Sequence, residues 1–566
     1  MFAKTKNNRQ LCCMQQSVTP CPEGTARQWP SPGNGTKFNF RQKEVIMKKM
    51  LKLLSVALLL LPAAASAQWT TDYSKNTQVT PVGLNYDENE VVTNDDGITY
   101  AFFIIQSNGT LDMRLQILDK QGNKVMERGG HSVSHEANKV WSPYNQHLAL
   151  DNKGNVFVGV QDFRTAPEQS LNSYTIYKYS PEGELLWEGT TLNAGKGYTT
   201  QLGLSLCGLD DGGCACAYVY RDDATGMDCI AMERLGADGK QAWNKTVLRT
   251  RGEPGTYPYP YLAKGDGGNI IMLYIAGGNT LKAHVTDGDG NALAQEDATV
   301  YSGGFASSKP WEVMRVTPCA GGGAIVTCMN SEHNSVFTRI TADGTAAFAG
   351  MPGGVTLNDA EYGGAQPAVA YVTDSDCYIC AYQQFDRNDT NNQGLYLRRV
   401  NTDGTAAEAT AVAAMQTGSM YSFYSVQDAG NGHAALFYQK CDKPAQIVDS
   451  FMEVYDADGN KAGDATKFTE TLTMKQNLKS SAMIDGKYFI TSWDEDRYGS
   501  MSLFMQKVEY GTGTGISNPA AGTGTVKSET FTAGGIKTSG TVKGVNIIRT
   551  THTDGSVTVK KIADGR

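Results

Sequence analysis

HLALDNKGNVFVGVQDFRTAPEQSLNSYTIYKYSPEGELLW, residues 147–187, reads as four short strands joined by turns. Leu148-Ala149-Leu150 runs into the turn Asp151-Asn152-Lys153-Gly154, and Val156 to Val160 follows as a second apolar strand. A polar loop leads to Tyr174 to Tyr179, then to the turn Ser180-Pro181-Glu182-Gly183 and a last apolar stretch, Leu185-Leu186-Trp187. Short runs rich in β-branched and aromatic residues, bounded by turns that end in Gly, are the pattern of antiparallel hairpins.

The pattern recurs along the chain. Its first turn falls at Gly97, Gly154, Gly213, Gly268, Gly323, Asp376, Gly432 and Gly486, with successive positions 53 to 59 residues apart. Its second turn falls at Gly122, Gly183, Gly239, Gly290, Gly344, Gly404, Gly459 and Gly511. Both series count eight. A four-stranded unit cannot bury its two faces alone, and radial stacking of such units buries them, so the expected fold is all-β: an eight-bladed β-propeller. The eighth copy lacks a fourth strand, because Val508 is followed by Gly511-Thr512-Gly513-Thr514-Gly515. Ala67-Gln68-Trp69 resembles the fourth-strand segments Leu186-Trp187 and Ala242-Trp243, so an N-terminal strand near Trp69 is expected to complete the last blade and leave no open edge.

Bulk composition agrees with many short strands and tight turns: 62 Gly, 18 Pro and 19% charged residues. A net charge of -8 supplies no basic stripe, which argues against nucleic acid or an anionic membrane surface as a partner. After Met47, Lys48, Lys49 and Lys52 precede the apolar run Leu53 to Leu61, then Pro62 and Ala65-Ser66-Ala67. This is the order of a secretory signal peptide over residues 47–67, with an apolar run too short to span a bilayer. The mature chain is expected to start at Gln68 and to be secreted or displayed on the outer cell surface. Residues 1–46 are polar and aperiodic, and read as an upstream segment from a misplaced start codon. Nine cysteines follow residue 67, and Cys214-x-Cys216 has strand spacing. They read as small core residues or an occasional disulfide, with no metal site and no cofactor.

The propeller is assigned residues 68–512, a low-complexity linker 513–525 and a small C-terminal β module 526–566. The repeat resembles the long, degenerate propeller repeats of secreted bacterial proteins, which implies a fold and little else. The C-terminal module carries Phe531-Thr532-Ala533-Gly534-Gly535, Lys543-Gly544-Val545-Asn546-Ile547-Ile548, the turn Asp554-Gly555 and Val559-Lys560-Lys561-Ile562. It resembles the C-terminal (Por) sorting domain of Bacteroidetes proteins exported by the type IX secretion system, in the variant whose core reads Lys-Gly-Val-Asn-Ile. That resemblance implies the secretion machinery as a partner. The chain departs from the commonest form, which has Asp-Leu-x-Gly-Arg where Thr532-Ala533-Gly534-Gly535-Ile536 stands here.

No catalytic constellation emerges. Asp162-Phe163-Arg164, Asp386-Arg387 and Asp494-Glu495-Asp496-Arg497 fall just after second strands. Paired carboxylates there could cleave glycosides, but their recurrence in several blades reads as structural Asp–Arg pairs holding loops. Asp287-Gly288-Asp289-Gly290-Asn291 and Asp456-Ala457-Asp458-Gly459-Asn460 read as hairpin turns rather than calcium loops. Aromatic residues recur just before first strands: Trp141, Tyr144, Tyr257, Tyr259, Tyr261, Trp311, Tyr362, and Tyr421 with Phe423. Trp141, Tyr144, Tyr257, Tyr259, Trp311, Tyr362 and Tyr421 are the candidate ligand-binding residues, expected to ring one mouth of the central channel and to suit a glycan or a peptide. The competing reading makes them wedges between blades. The leading functional expectation is a non-enzymatic binding or scaffold protein for an extracellular glycan or protein ligand. Alternatives are an extracellular polysaccharide hydrolase or lyase using carboxylates such as Asp494 or Asp496, and a structural envelope protein.

Overall fold

Asp287 shows why the repeated turn carries Asp, Gly and Asn. Its Oδ1 accepts the backbone N–H groups of Asp289 and Asn291 at 2.9 and 2.8 Å, and its Oδ2 accepts the Asn291 side-chain amide at 3.0 Å. Gly290 completes the turn with φ +75° and a bond to the Asp287 carbonyl at 3.0 Å. Asp456 and Asn460 repeat the arrangement. The hydrogen bonds from Asn291 hold the Asp287 carboxyl below its ordinary range, so these oxygens serve the turn. In the first-turn series one position shifts: the positive φ of the third repeat belongs to Gly212 (+85°) rather than to Gly213.

In this computed structural model the described residues are 69–564, without 71, 82–84, 108–109, 128, 135–145, 167–170, 193–202, 223, 225, 251–258, 443–446, 470–473, 511–524, 533–536, 539–543 and 553–556. The upstream segment 1–46 and the signal peptide 47–67 lie outside them.

The turns join strands into eight antiparallel blades, so the fold is the expected β-propeller. Blades 1 to 7 take residues 85–134, 148–192, 204–250, 261–301, 314–356, 362–417 and 419–467, and blade 8 takes 475–509 plus an N-terminal strand. Successive side chains on a strand point to opposite faces, and here both faces are buried. Tyr100, Phe102 and Ile104 of blade 1 pack with Val156, Val158 and Tyr177 of blade 2. The intervening Ala101, Phe103 and Ile105 pack the other way, with Leu503 and Met505 of blade 8. Apolar clusters of this kind join every consecutive pair of blades, including the last to the first. Cys214 and Cys216 belong to one of them as free thiols, the Cys216 thiol donating to the Cys214 sulfur at 4.0 Å.

The N-terminal strand closes blade 8, but not at Trp69. Thr77–Gln78 pairs with the third strand of the blade, Thr77 opposite Met505 and Gln78 opposite Phe504. Trp69 sits farther back, where its N–H donates to the Gln121 carbonyl at 2.6 Å and its ring covers Gly122 of blade 1. A Cβ at Gly122 would stand 2.6 Å from that ring. Trp187 covers Gly239 of the next blade in the same way, and Trp243 covers Gly290. Trp69 therefore has the packing role that its likeness to Trp187 and Trp243 suggests. The pairing slips downstream because an extra turn, closed by Ser74 N–H on Asp72 Oδ1 at 3.0 Å, intervenes.

A separate four-stranded antiparallel sheet follows near the C-terminus, ordered Lys537–Thr538, Thr525–Thr532, Gly544–His552 and Val557–Asp564. No helix among the described residues is long and apolar enough to cross a membrane.

Candidate functional site

First strands border the axis of a propeller, so a cavity lined by first strands of consecutive blades belongs to the central channel. One such cavity, of about 880 Å³, is bordered by Met314–Pro318 of blade 5, Ala368–Val372 of blade 6 and Ser419–Gly430 of blade 7, with Ala482 of blade 8. The strands around it are irregular. The first strand of blade 6 is split into Tyr362–Gly364 and Ala368–Val372. The first strand of blade 7 slips register between Ser422 and Tyr424, with Phe423 at φ +52°. Blades 8 and 1 slip at the same height: the pairs resume at Tyr438, Ser492 and Phe103, each the sixth residue after its turn glycine, Gly432, Gly486 or Gly97. A bulge re-aims side chains, and an aromatic residue with positive φ holds a conformation that costs roughly 1–2 kcal/mol.

The re-aimed residues tie four blades together. Tyr424 donates its hydroxyl to the Gln366 carbonyl at 2.7 Å and accepts the Gln383 N–H at 3.1 Å. Burial pushes its phenol up to about 12, so it remains a neutral donor. Gln366 reaches Thr327 of blade 5 at 3.4 Å, and Gln427 reaches Ser480 of blade 8 at 3.1 Å. Among the described lining residues, Arg315 and Arg339 carry positive charge and Asp428 negative. Asp428 accepts the N–H groups of Thr373 and Gly430 at 3.1 and 2.9 Å. Arg339 donates to the Tyr378 hydroxyl at 3.0 Å and lies over the Tyr371 ring at 5.2 Å.

The expected aromatic rim is not what forms this surface. Tyr259 and Tyr421 are 1% and 3% exposed, and Tyr421 packs against Tyr438 in the cluster between blades 6 and 7. For Tyr421 the wedge reading replaces the rim, because alternate first-strand side chains turn into the interface between blades, and Tyr259, just before the first strand Tyr261–Lys264, is buried as well. Tyr362 is half-buried at the start of the split strand, its carbonyl accepting the Asn358 amide at 2.9 Å. Trp311 lies in the short turn Pro310–Glu312, its side chain outside the described part, and Trp141, Tyr144 and Tyr257 also lie outside it. Phe423 and Tyr424 reach the cavity instead. The residues just beyond Tyr421 were overlooked because a bulge carries no local motif.

Loop arginines after the second strands are structural, as their recurrence suggests, but their partners differ from the expected Asp neighbours. Arg387 donates to the Glu332 carbonyl at 2.8 Å and Asn334 Oδ1 at 2.7 Å, in the preceding blade. Arg497 clasps both oxygens of Glu495 at 3.0 Å and reaches Asn76 Oδ1 at 2.6 Å. Asp494 accepts amides from Asn89 and Asn477, each at 2.6 Å. The side chains of Asp162 and Arg164 lie outside the described part.

Glu90, on the first strand of blade 1, accepts the N–H groups of His147 and Leu148 in blade 2 at 2.6 and 3.3 Å. Burial raises its carboxyl to about 7, although Lys479 and the two N–H groups oppose the rise. The folded value exceeds that of the unfolded chain, so folding favours the protonated acid. The resulting stabilisation is complete below about 4.5 and lost as pH rises through about 7. Between pH 5 and 8 the unaltered protein is expected to lose roughly 2 kcal/mol more than Glu90→Gln, a difference read from urea midpoints. Equal losses in the two proteins would contradict this.

No family model matches the chain, and no curated protein does. Solved structures with related strand arrangements include the Pyrococcus horikoshii acylaminoacyl peptidase, at 8% identity and TM-score 0.37, over 76% of this chain and 59% of that one. The chain thus spans about three-fifths of the peptidase's length. The β-propeller domain of the Trilobed protease from Pyrococcus furiosus has 8% identity and TM-score 0.35, over 65% and 94% of the two chains. The periplasmic gluconolactonase of Pseudomonas aeruginosa has 12% identity and TM-score 0.33, over 70% and 98%. Likeness at this level concerns the propeller fold, and no activity is carried across from it.

Proposed function

We propose that the protein is an exported binding protein that holds an oligosaccharide in its central channel. The observation that carries this reading is the set of residues bordering one cavity, which includes Phe423, Gln366, Gln383 and Gln427. A flat apolar surface with amides around it suits the faces and hydroxyls of sugar rings. Asp428 is the one carboxylate among the described lining residues, whereas acid–base glycoside cleavage generally takes two. Asp494, the carboxylate on which a hydrolase reading would rest, is engaged by two amides. Export through residues 47–67 and recognition of residues 526–566 by a secretion system belong to the same proposal.

Phe423→Gly separates binding from folding. Glycine adopts φ +52° without strain, which offsets part of the packing the ring loses against the cluster between blades 7 and 8, so stability is expected to fall by roughly 1–2 kcal/mol. Affinity for an oligosaccharide found by glycan-array screening is expected to fall about five- to thirtyfold, since a stacking ring contributes on the order of 1–2 kcal/mol. Unchanged affinity in the folded variant would remove the channel from consideration.

A further inference from the structure

Arg315 stands apart from the other propeller arginines with described contacts. Arg114, Arg234, Arg398, Arg399 and Arg497 each hold a carboxylate within 3.0 Å, Arg387 bonds Asn334 and the Glu332 carbonyl, and Arg339 bonds the Tyr378 hydroxyl. Arg315, on the first strand of blade 5, projects into the channel cavity with no ion pair and no hydrogen bond among the described residues. Tyr424, which acts on it electrostatically, stays neutral and is occupied by Gln366 and Gln383. The Arg315 guanidinium keeps its proton, as guanidinium groups do in proteins, and carries a full positive charge at the cavity wall. Arg315 is exposed to the solvent of the cavity, so its open fork is available to an incoming anion at no cost to the fold.

The cavity as a whole repeats this imbalance. Among the described lining residues two arginines, Arg315 and Arg339, stand against one acid, Asp428, in a chain whose net charge is -8. Arg339 is already stacked on Tyr371 and bonded to Tyr378, whereas the Arg315 fork is open. Low-dielectric walls concentrate the field of such a site and select anions from solution. A planar fork with parallel N–H donors matches a carboxylate, and the amides and ring around it match sugar hydroxyls and faces.

We propose that Arg315 is the anion subsite of the channel and that the ligand is an acidic oligosaccharide, bound through a ring carboxylate. This rests on the channel reading above and narrows it to uronate-bearing sugars.

The test is isothermal titration of the mature full chain with tetrasaccharides of galacturonate, mannuronate and hyaluronan. The methyl ester of the galacturonate oligomer, neutral tetragalactose and tetraglutamate complete the panel. At least one acidic sugar is expected to bind, more weakly as salt is raised, with its neutral counterpart roughly ten- to a hundredfold weaker. Arg315→Gln is expected to bring the acidic sugar down to the neutral level and to leave the melting temperature unchanged. Arg315→Lys, which keeps the charge and loses the fork, is expected to fall between the two.

Equal binding of acid and ester, or acid binding unaffected by Arg315→Gln, overturns the anion subsite. In that event loss of both ligands in Phe423→Gly would still uphold the channel. Binding of tetraglutamate in preference to every sugar overturns the ligand class. Failure of all the acidic sugars overturns the proposal, and the glycan-array result with Phe423→Gly then decides the channel reading on its own.

Discussion

A chain lacking residues 69–80 is expected to fail as a monomer and to recover when the peptide 69–80 is supplied. Four separate contacts leave with that segment. Thr77–Gln78 no longer covers the edge at Phe504 and Met505, which would then present unpaired N–H and C=O groups. Val79, 0% exposed, leaves the cluster between blades 8 and 1, a loss of roughly 1.5–3 kcal/mol. Trp69 no longer covers Gly122, and Arg497 loses Asn76. The combined loss, on the order of 5 kcal/mol, is comparable with the whole net stability of an ordinary domain. Size-exclusion chromatography is expected to show aggregates, and added peptide to restore the monomer by strand addition. A monomeric truncated chain that melts within about 2 °C of the full one would show that the N-terminal strand is dispensable to the ring.

Glu495→Ala is the single substitution expected to cost most, roughly 3–5 kcal/mol. Glu495 is 0% exposed and accepts the Trp493 indole N–H at 2.9 Å as well as both arms of Arg497. Lys475, whose side chain is also 0% exposed, lies 3.6 Å from the same carboxylate. Burial pulls the Lys475 ammonium below its ordinary range, and the charge of Glu495 pulls it back. Alanine would leave a buried ammonium and a half-open guanidinium facing each other without an anion. Glu495→Gln keeps the shape and one acceptor while removing the charge, so its cost is expected to fall well short of that of alanine. Denaturant melts of the two variants measure this directly, and equal costs would mean that volume, not charge, is what Glu495 supplies.

Both predictions concern the closure, where sequence and structure part company. Trp69 was recognisable from its likeness to Trp187 and Trp243, and it does pack on the next blade's turn glycine as they do. The pairing at Thr77–Gln78 was not recognisable, because those two residues carry no apolar pattern of their own. Their register is set by Met505 and Phe504, more than four hundred residues along the chain. The same distinction separates Tyr421 from Phe423. Both are aromatic and two residues apart, so on a regular strand they would share a face. Slipped register at Phe423 sends one into the core between blades and the other to the channel.

The sequence by itself determined the all-β class, the count of eight blades and the turns that separate their strands. These follow from local chemistry, since Asp, Gly and Asn close a hairpin through atoms at most four residues apart, and alternating apolar side chains need only the strand's own period. Only the tertiary structure decided where the ring closes, which aromatic residues line the channel, and that Arg315 lines it with no carboxylate partner among the described residues. Each depends on how first strands from different blades bulge and meet around a common axis. That geometry is fixed by packing between segments distant in sequence, for which no single stretch of the chain holds a signal.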